Sequence, residues 1–226
     1  TNISEESHQY IKNQIKDATY GFFVPHSINI KNIMYKGGAQ WMGASVDNKN
    51  GIMYVPSNDI PTFIWLEENN KKNTYYKYTM RGKIIKDQLG YPGSKPPWGR
   101  ITAINLNTGK IIWKIPFGEY EELTKKGVPI TGTYNYGGVT ATAGGLVFAT
   151  GTLDNKIRAL DAKTGKELWS YRLPFSGSSP PTIYEYNNEQ YVLVSATGSI
   201  SMRKAFPKIS KSGNKIYAFK IKKISN

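Results

Sequence analysis

The sequence of 226 residues contains no cysteine and only two histidines, His8 and His26. The lack of cysteine excludes a disulfide framework and a thiolate metal site within these residues. No stretch approaches the roughly 20 consecutive apolar residues that a membrane-spanning helix needs. Residues 1–6 have neither the basic nor the apolar region of a signal peptide, and an initiator methionine is missing. We therefore expect a trimmed or excised chain that has left its targeting information behind.

Recognisable catalytic signatures are also missing from the sequence. There is no phosphate-binding P-loop, no His-Glu-x-x-His zinc motif and no Gly-x-Ser-x-Gly nucleophile elbow. The aspartates are isolated from one another along the chain, and Asp161 precedes a Thr-Gly-Lys turn, a position typical of turn-capping carboxylates. The residues alone therefore predict no catalytic group and no metal ligand within this chain.

The composition favours many short strands joined by turns. Aromatic residues make up 13% of the chain, including 16 tyrosines, and there are 22 glycines and 12 prolines. This mixture suits an all-β fold better than a helix bundle. The helical exception is the segment from Asn2 to about Ala18, where Asn2 and Glu5 have the spacing of a capping box. We predict a helical segment over residues 1–20 and β-structure over 21–226.

The net charge of +14 at pH 7 is compatible with binding to nucleic acid or to an anionic surface. The lysines, however, are spread along the chain, for example at Lys71, Lys125 and Lys208, rather than clustered in one arm. We interpret the charge as a solvated basic surface and expect no nucleic-acid partner.

An internal repeat is the strongest structural signal in the sequence. The segment Ile101–Trp113 aligns without gaps with Ile157–Trp169, and both contain the sequence Thr-Gly-Lys, then two intervening residues, then tryptophan. Each copy reads as a strand, a tight turn and a second strand, in which glycine supplies the positive φ angle of the turn. The repeat therefore predicts two equivalent β-hairpins.

Further strands complete the repeating unit. Gly51–Val55 and Gly145–Ala149 are glycine-led strands that precede the two hairpins, and a third copy consists of Gln190–Ser195 and Asn214–Lys220 without a tryptophan strand. One blade of a propeller cannot bury both its faces and must stack on its neighbours. We predict a partial β-propeller of about three four-stranded blades, with an insertion at about 57–98.

Three glycine-rich segments stand out as candidate ligand sites, namely Gly37–Ala44, Asn135–Gly145 and Ser195–Ser199. In a propeller they would lie near the blade ends that face the central channel. An aromatic ring or amide beside glycines suits a flat ligand, because glycine lets the backbone approach closely. The residues alone favour this interpretation and ordinary turns at the start of a blade equally.

The repeat resembles the tryptophan-docking motif of dehydrogenases that depend on pyrroloquinoline quinone (PQQ). The chain shares its frame Ala-x-Asp/Asn-x-x-Thr-Gly-Lys-x-x-Trp around Trp113 and Trp169. The resemblance extends from about Gly21 to Ile221 and looks nearest to the quinoprotein glucose dehydrogenase type. Four longer segments are similar to family segments and follow the same order: Gly37–Asp47, Pro96–Trp113, Tyr134–Phe148 and Tyr184–Val194.

The resemblance implies that the chain is the C-terminal portion of an eight-bladed propeller. It implies oxidation of an aldose or alcohol with PQQ as the electron acceptor, transfer of electrons to a quinone or cytochrome, and a periplasmic or membrane-associated location. The catalytic aspartate and most Ca²⁺ ligands of the family lie upstream, so the fragment alone is expected to be inactive. The remaining blades or another copy of the chain are the expected partners, because a partial ring leaves strand edges uncovered.

The resemblance also transfers individual cofactor contacts. Tyr136 stands where the family has an aromatic residue in the PQQ pocket, and Gln40 where relatives have a polar amide. The sequence departs from the family at Met42, which replaces a glycine, and at 198–200, which replaces a glycine run. The expected cofactor-binding residues are Gln40, Trp41, Tyr136, Gly137 and Gly138.

A non-catalytic propeller scaffold, such as an assembly factor of outer-membrane proteins, is the alternative, because such proteins share the Thr-Gly-x-x-x-Trp repeat. The segments Asn135–Gly145 and Pro96–Trp98 favour the dehydrogenase, since a scaffold repeat would not need them.

Overall fold

The computed structural model describes residues 1–28, 30–70 and 75–220, apart from the side chain of Lys36. The chain divides into two compact units. The first, called here the N-terminal unit, consists of Thr1–Gly38 and Asp59–Pro96; the second, the blade unit, consists of Ala39–Asn58 and Pro97–Asn226. In the described part of the chain, no helix is long and apolar enough to cross a membrane.

The N-terminal unit begins with helix α1 (Glu5–Ile15). The predicted helix is confirmed, but the predicted cap at Asn2 is wrong. Ser4 has extended backbone angles, and its hydroxyl accepts a hydrogen bond from Ser7 N at 3.1 Å. The helix therefore begins where a side-chain oxygen reaches the third amide of the first turn, two residues later than the sequence suggested.

A buried carboxylate anchors α1 within this unit. Ser7 Oγ donates to Asp87 Oδ2 at 2.7 Å, and both residues are buried. The other carboxylate oxygen accepts from the backbone amides of Leu89 and Tyr91 at 3.0 and 2.9 Å. Ile11 adds an apolar contact, in a cluster with Phe63 and Ile85 among others. The helix thus packs on residues of the predicted insertion.

Much of the predicted insertion is regular strand. Strand β3 (Ile52–Glu68) continues from the blade unit into the N-terminal unit, where Thr62–Glu68 pair antiparallel with β4 (Tyr78–Ile84). Strand β1 (Asn32–Ala39) also neighbours β3 in this sheet. Residues 71–74 of the insertion lie outside the described residues.

The blade unit contains three antiparallel sheets. The first blade has the strand order β2-β3-β5-β6, in which β2 and β5 pair with opposite sides of β3. The second has the order β7-β8-β9-β10 and the third β11-β12-β13. The bounds are β2 (Ser45–Asp47), β5 (Gly99–Asn105), β6 (Ile111–Pro116), β7 (Asn135–Ala141), β8 (Leu146–Thr152), β9 (Lys156–Asp161), β10 (Glu167–Arg172), β11 (Thr182–Tyr186), β12 (Glu189–Ala196) and β13 (Lys215–Lys220). Helix α2 (Glu121–Thr124) lies between β6 and β7, and α3 (Ile200–Ala205) between β12 and β13.

The prediction of a partial propeller with about three blades is confirmed, and the two sequence repeats are the hairpins β5–β6 and β9–β10. In each hairpin the residue before the turn, Asn105 or Asp161, caps the turn by accepting backbone hydrogen bonds through its side-chain oxygen. Three strands of the third blade lie within the described residues, and residues 221–226 lie outside them.

Trp113 joins the first blade to the second. Its indole Nε1 donates to Ala162 O at 3.0 Å, and Tyr54 Oη donates to the same carbonyl at 3.2 Å. The tryptophan ring lies against the turn of the second blade, where a Cβ atom on Gly165 would come within 2.9 Å of it. Glycine at 165 is therefore required twice, for its φ of +75° and for the space that the indole occupies.

This double requirement gives a stability prediction. Gly109, the equivalent residue of the first blade, has a φ of +68° but no atom within 4 Å of a Cβ. We expect Gly109→Ala to lower the free energy of unfolding by about 1–2 kcal/mol through backbone strain alone. Gly165→Ala should cost about 1–3 kcal/mol more, because it also forces Trp113 to move. Urea denaturation of both variants measures the difference, and equal losses would contradict the docking role of Gly165.

Candidate cofactor-binding site

Two of the three predicted glycine-rich segments meet at the inner edges of the first and second blades. Residues 40–43 precede β2, the first strand of the first blade, and residues 134–138 span the start of β7, the first strand of the second. The sequence analysis missed β7 as a strand, because glycines weaken the strand signal. Gln40, Trp41 and Tyr136 are brought together there.

Both the nitrogen and the oxygen of the Gln40 side-chain amide are hydrogen-bonded. Gln40 Nε2 donates to Asn135 O at 2.8 Å, and Gln40 Oε1 accepts from Trp41 N at 2.9 Å. The backbone of Gln40 is also fixed, since its N–H donates to Pro56 O at 2.8 Å. The side chain predicted to contact a cofactor therefore orients the residue that follows it.

Trp41 presents the open surface of the site. It is 79% exposed, and its ring centroid lies 6.0 Å from that of Tyr136 at an interplanar angle of 69°. This is an edge-to-face pair, in which the tyrosine meets the indole without covering both of its faces. A planar ligand could therefore stack on the exposed indole face.

A buried tyrosine supports this aromatic pair. Tyr134 is 2% exposed, and its ring centroid lies 6.4 Å from that of Tyr136 and 5.9 Å from that of Phe206, the residue at the end of α3. Burial raises the pKa of Tyr134 to about 12, with a further contribution from Tyr136. The phenol is therefore neutral at physiological pH.

Gly137 and Gly138 have packing reasons to be glycine. A Cβ atom on Gly137 would lie 2.4 Å from Thr150 O and 2.5 Å from Gly151 Cα, in the neighbouring strand β8. Gly138 has a φ of +104°, and its Cβ would lie 2.8 Å from Pro180 Cγ. The pairing of β7 with β8 shifts register between Asn135 and Gly138, so these glycines allow the bulge that carries Tyr136. Their contact with a cofactor stays a prediction.

Sequence reasoning missed the two buried asparagines that connect these segments. Asn58 Nδ2 donates to Asn135 O, and Asn58 Oδ1 accepts from both Asn135 N and Asn135 Nδ2, each at 2.9 Å. Asn135 Nδ2 also donates to Ser57 O at 2.9 Å. The available signal was an asparagine at the last residue of β3 that pairs with β5, and another at the start of the next blade's first strand.

The third glycine-rich segment forms a turn. Ser199 caps α3 by accepting from Met202 N at 3.4 Å, and Gly198 has a φ of +69°. A Cβ atom on Gly198 would lie 2.1 Å from Lys211 O, so the close backbone approach accounts for this glycine.

The most deeply buried aspartates already have structural partners. Asp154 forms an ion pair with Arg158 in the second blade. Burial alone would raise the pKa of Asp154, but the guanidinium and several hydrogen bonds hold it below its ordinary value. Asp87 is the anchor of α1 described above. Within the described residues, no group of three or more His, Cys, Asp or Glu side chains is arranged to hold a metal ion.

Comparison with known proteins identifies the family. The family described as "PQQ: Glucose/ethanol/alcohol dehydrogenase, beta-propeller domain" matches residues 1–192, which include both aromatic residues of the site. The chain belongs to this PQQ-dependent dehydrogenase family. The resemblance noted in the sequence is thereby confirmed, and the family match extends it to α1.

Individual relatives of the PQQ family agree with this assignment. The glycerol dehydrogenase large subunit of Gluconobacter oxydans (strain 621H) is 34% identical over 213 residues, covering 79% of this chain and 29% of that protein. The quinoprotein glucose dehydrogenase of Escherichia coli (strain K12) is 36% identical over 115 residues, covering 49% of this chain and 14% of that protein. The chain therefore spans less than a third of the length of these relatives.

A solved structure shares the fold. Europium-containing methanol dehydrogenase superposes with a TM-score of 0.59 at 22% identity, covering 79% of this chain and 32% of that one. At this identity the likeness concerns the fold alone.

The buried Tyr134 links stability to pH. Because the ordinary pKa of tyrosine is about 10, the unfolded chain loses this proton at lower pH than the folded chain, in which the pKa is about 12. The contribution is fully present below about pH 10 and is lost as the pH rises toward 12. Between about pH 10 and pH 12 the free energy of unfolding should therefore fall less for Tyr134→Phe than for the unaltered protein, by up to about 3 kcal/mol. Urea denaturation at a series of pH values measures the difference.

A matched control for this prediction is Tyr186→Phe, which removes the hydroxyl of a tyrosine that is 63% exposed. This control should follow the pH dependence of the unaltered protein. The same pH dependence for Tyr134→Phe and the unaltered protein would show that Tyr134 does not couple to folding.

Proposed function

We propose that this chain is part of a PQQ-dependent dehydrogenase and that Trp41 and Tyr136 form part of the surface on which PQQ binds. The single observation that carries the proposal is the edge-to-face pair of these two rings, within the range that matches the family. Trp41 keeps an exposed indole face, and the ring of Tyr136 limits the tilt of anything stacked on it.

The residues present fit a flat, polar cofactor. PQQ is a planar tricyclic quinone, and when bound it supplies a two-electron acceptor for the oxidation of an alcohol or aldose. Gln40 holds the Trp41 backbone, so the indole is oriented before a ligand arrives. The phenol ring of Tyr134 is buried and packs against the ring of Tyr136, and because it is neutral it adds no charge to the site. The contribution of this chain is therefore a pre-organised stacking surface.

The substrate and the electron acceptor belong to the longer protein. We propose an aldose or alcohol substrate, electron transfer to a quinone or cytochrome, a bound Ca²⁺, and a periplasmic location, all supported by the family. The chain covers 29% of the glycerol dehydrogenase relative, so catalytic and metal-binding groups are expected in the remaining blades. The match to a dehydrogenase domain favours this function over a non-catalytic scaffold.

Replacing the exposed indole tests the proposal in the full-length parent protein. We expect Trp41→Ala to weaken PQQ binding about tenfold or more, since stacking on an aromatic side chain contributes on the order of 1–3 kcal/mol. Because the side chain is 79% exposed, the unfolding midpoint should change little. Binding is measured by titrating PQQ in the presence of Ca²⁺ and following tryptophan fluorescence.

Trp169→Ala is the matched control, because it removes the same side chain from β10, the outermost strand of the second blade. It should leave PQQ affinity unchanged. Dye-linked oxidation of glycerol, glucose and ethanol then tests the activity. An unaltered protein that binds no PQQ, or equal affinities of Trp41→Ala and the unaltered protein, would refute the proposal.

A further inference from the structure

The side-chain amides of Gln40 and of the buried residues Asn58 and Asn135 form one connected network between the first two blades. The carbonyl of Asn135 accepts from two side-chain amides, Gln40 Nε2 at 2.8 Å and Asn58 Nδ2 at 2.9 Å. Asn58 lies in β3 of the first blade, and Asn135 opens β7 of the second. The same network therefore joins both blades and the segment that carries Trp41.

The junction between the second and third blades provides an internal comparison. There Ser176 Oγ donates to Thr152 O at 2.9 Å; at the first junction Asn135 Nδ2 donates to Ser57 O, one residue before the position that corresponds to Thr152. Thr152 ends β8 at the position that Asn58 occupies in β3, counting from the glycines that lead the two strands. One hydroxyl thus suffices to bridge that junction at this point, whereas the first junction uses a set of side-chain amides.

The additional amides of the first junction act on the aromatic pair. Asn135 immediately precedes Tyr136, so fixing its backbone N–H and carbonyl fixes the start of the bulge that carries the tyrosine. The carbonyl of Asn135 also accepts a hydrogen bond from Gln40 Nε2, and Gln40 Oε1 in turn accepts one from Trp41 N. Asn135 therefore controls the placement of both rings, one through the chain and one through Gln40.

Stability alone does not account for this arrangement. Asn135 Oδ1 is buried, and among the described residues it accepts no hydrogen bond. A buried acceptor without a partner costs free energy that a small hydroxyl such as that of Ser176 avoids. The amide at 135 also orients both segments that carry the aromatic rings, which a single hydroxyl at this position would not do.

We propose that Asn135 and Asn58 are positioning residues of the cofactor site, which set the geometry of Trp41 and Tyr136 before a ligand binds. The ligand in this statement rests on the proposed function, whereas the positioning is a property of the chain itself. The separation of 6.0 Å and the angle of 69° between the rings are the quantities that the network fixes.

Two variants test the proposal in the full-length protein by giving the first junction the residues of the second. Asn58→Thr introduces the residue found at position 152, and Asn135→Ser introduces the hydroxyl used at position 176. The protein is labelled with 5-fluorotryptophan, and the Trp41 fluorine resonance is assigned with Trp41→Phe. We expect both variants to shift or broaden the Trp41 resonance without PQQ, to leave the Trp113 resonance in place, and to weaken PQQ binding at least fivefold.

Ser176→Ala is the matched control, because it removes the side-chain hydrogen bond that bridges the other junction. It should leave the Trp41 resonance and PQQ affinity unchanged. An unshifted Trp41 resonance in both asparagine variants, or an equal shift in Ser176→Ala, would overturn the proposal. If the unaltered protein binds no PQQ, the proposed function fails, and the Trp41 resonance still decides whether Asn58 and Asn135 position the ring. If one variant does not fold, the other gives the result.

Discussion

The packing of one blade on the next is the constraint on which the site depends. A four-stranded blade has two faces and cannot bury both alone. Between the first and second blades, Tyr54, Ile101, Val147 and Leu160 share one apolar core, and the indole of Trp113 reaches across to the carbonyl of Ala162. Once these contacts align the blades, Asn58 of β3 and Asn135 at the start of β7 lie side by side. The aromatic pair and its amides exist only as a result of that alignment.

The inner and outer parts of this junction use different chemistry. Its core is apolar and tolerates no added atom at Gly165, whereas its inner end is a polar network of neutral amides. Neutral amides make directional hydrogen bonds without the desolvation cost of burying a charge. An orienting network of this kind keeps its geometry over a wide pH range, because none of its members titrates. The charged pair that the second blade does bury, Asp154 with Arg158, is bound within its own blade.

The parts of the fold that were predictable from the sequence are those set by local chemistry. The Thr-Gly-Lys turns specify their hairpins through a positive φ at Gly109 and Gly165, and the repeat spacing then reveals the blades. Strand β7 was not predicted, because its glycines permit a bulge and a close approach to the backbone of β8. Both features depend on how β7 pairs with β8 and leave no local pattern in the sequence. Trp41 and Tyr136 were predicted as site residues through the resemblance, but the hydrogen bond by which Gln40 orients Trp41 was not predicted. Asn58 and Asn135 meet only across two blades, and no local pattern marks that contact.

The length of chain between the partners has a consequence for how the site forms in time. Gln40 and Asn135 are 95 residues apart, and Asn58 and Asn135 are 77 apart, whereas each hairpin closes within a few residues. Contacts across long loops form late in folding, because the entropy of closing the loop must be overcome before they contribute. We therefore expect the hairpins to form before the blades dock, and the aromatic pair to form last. The paired surface of Trp41 and Tyr136 is then confined to molecules in which the first two blades have already docked.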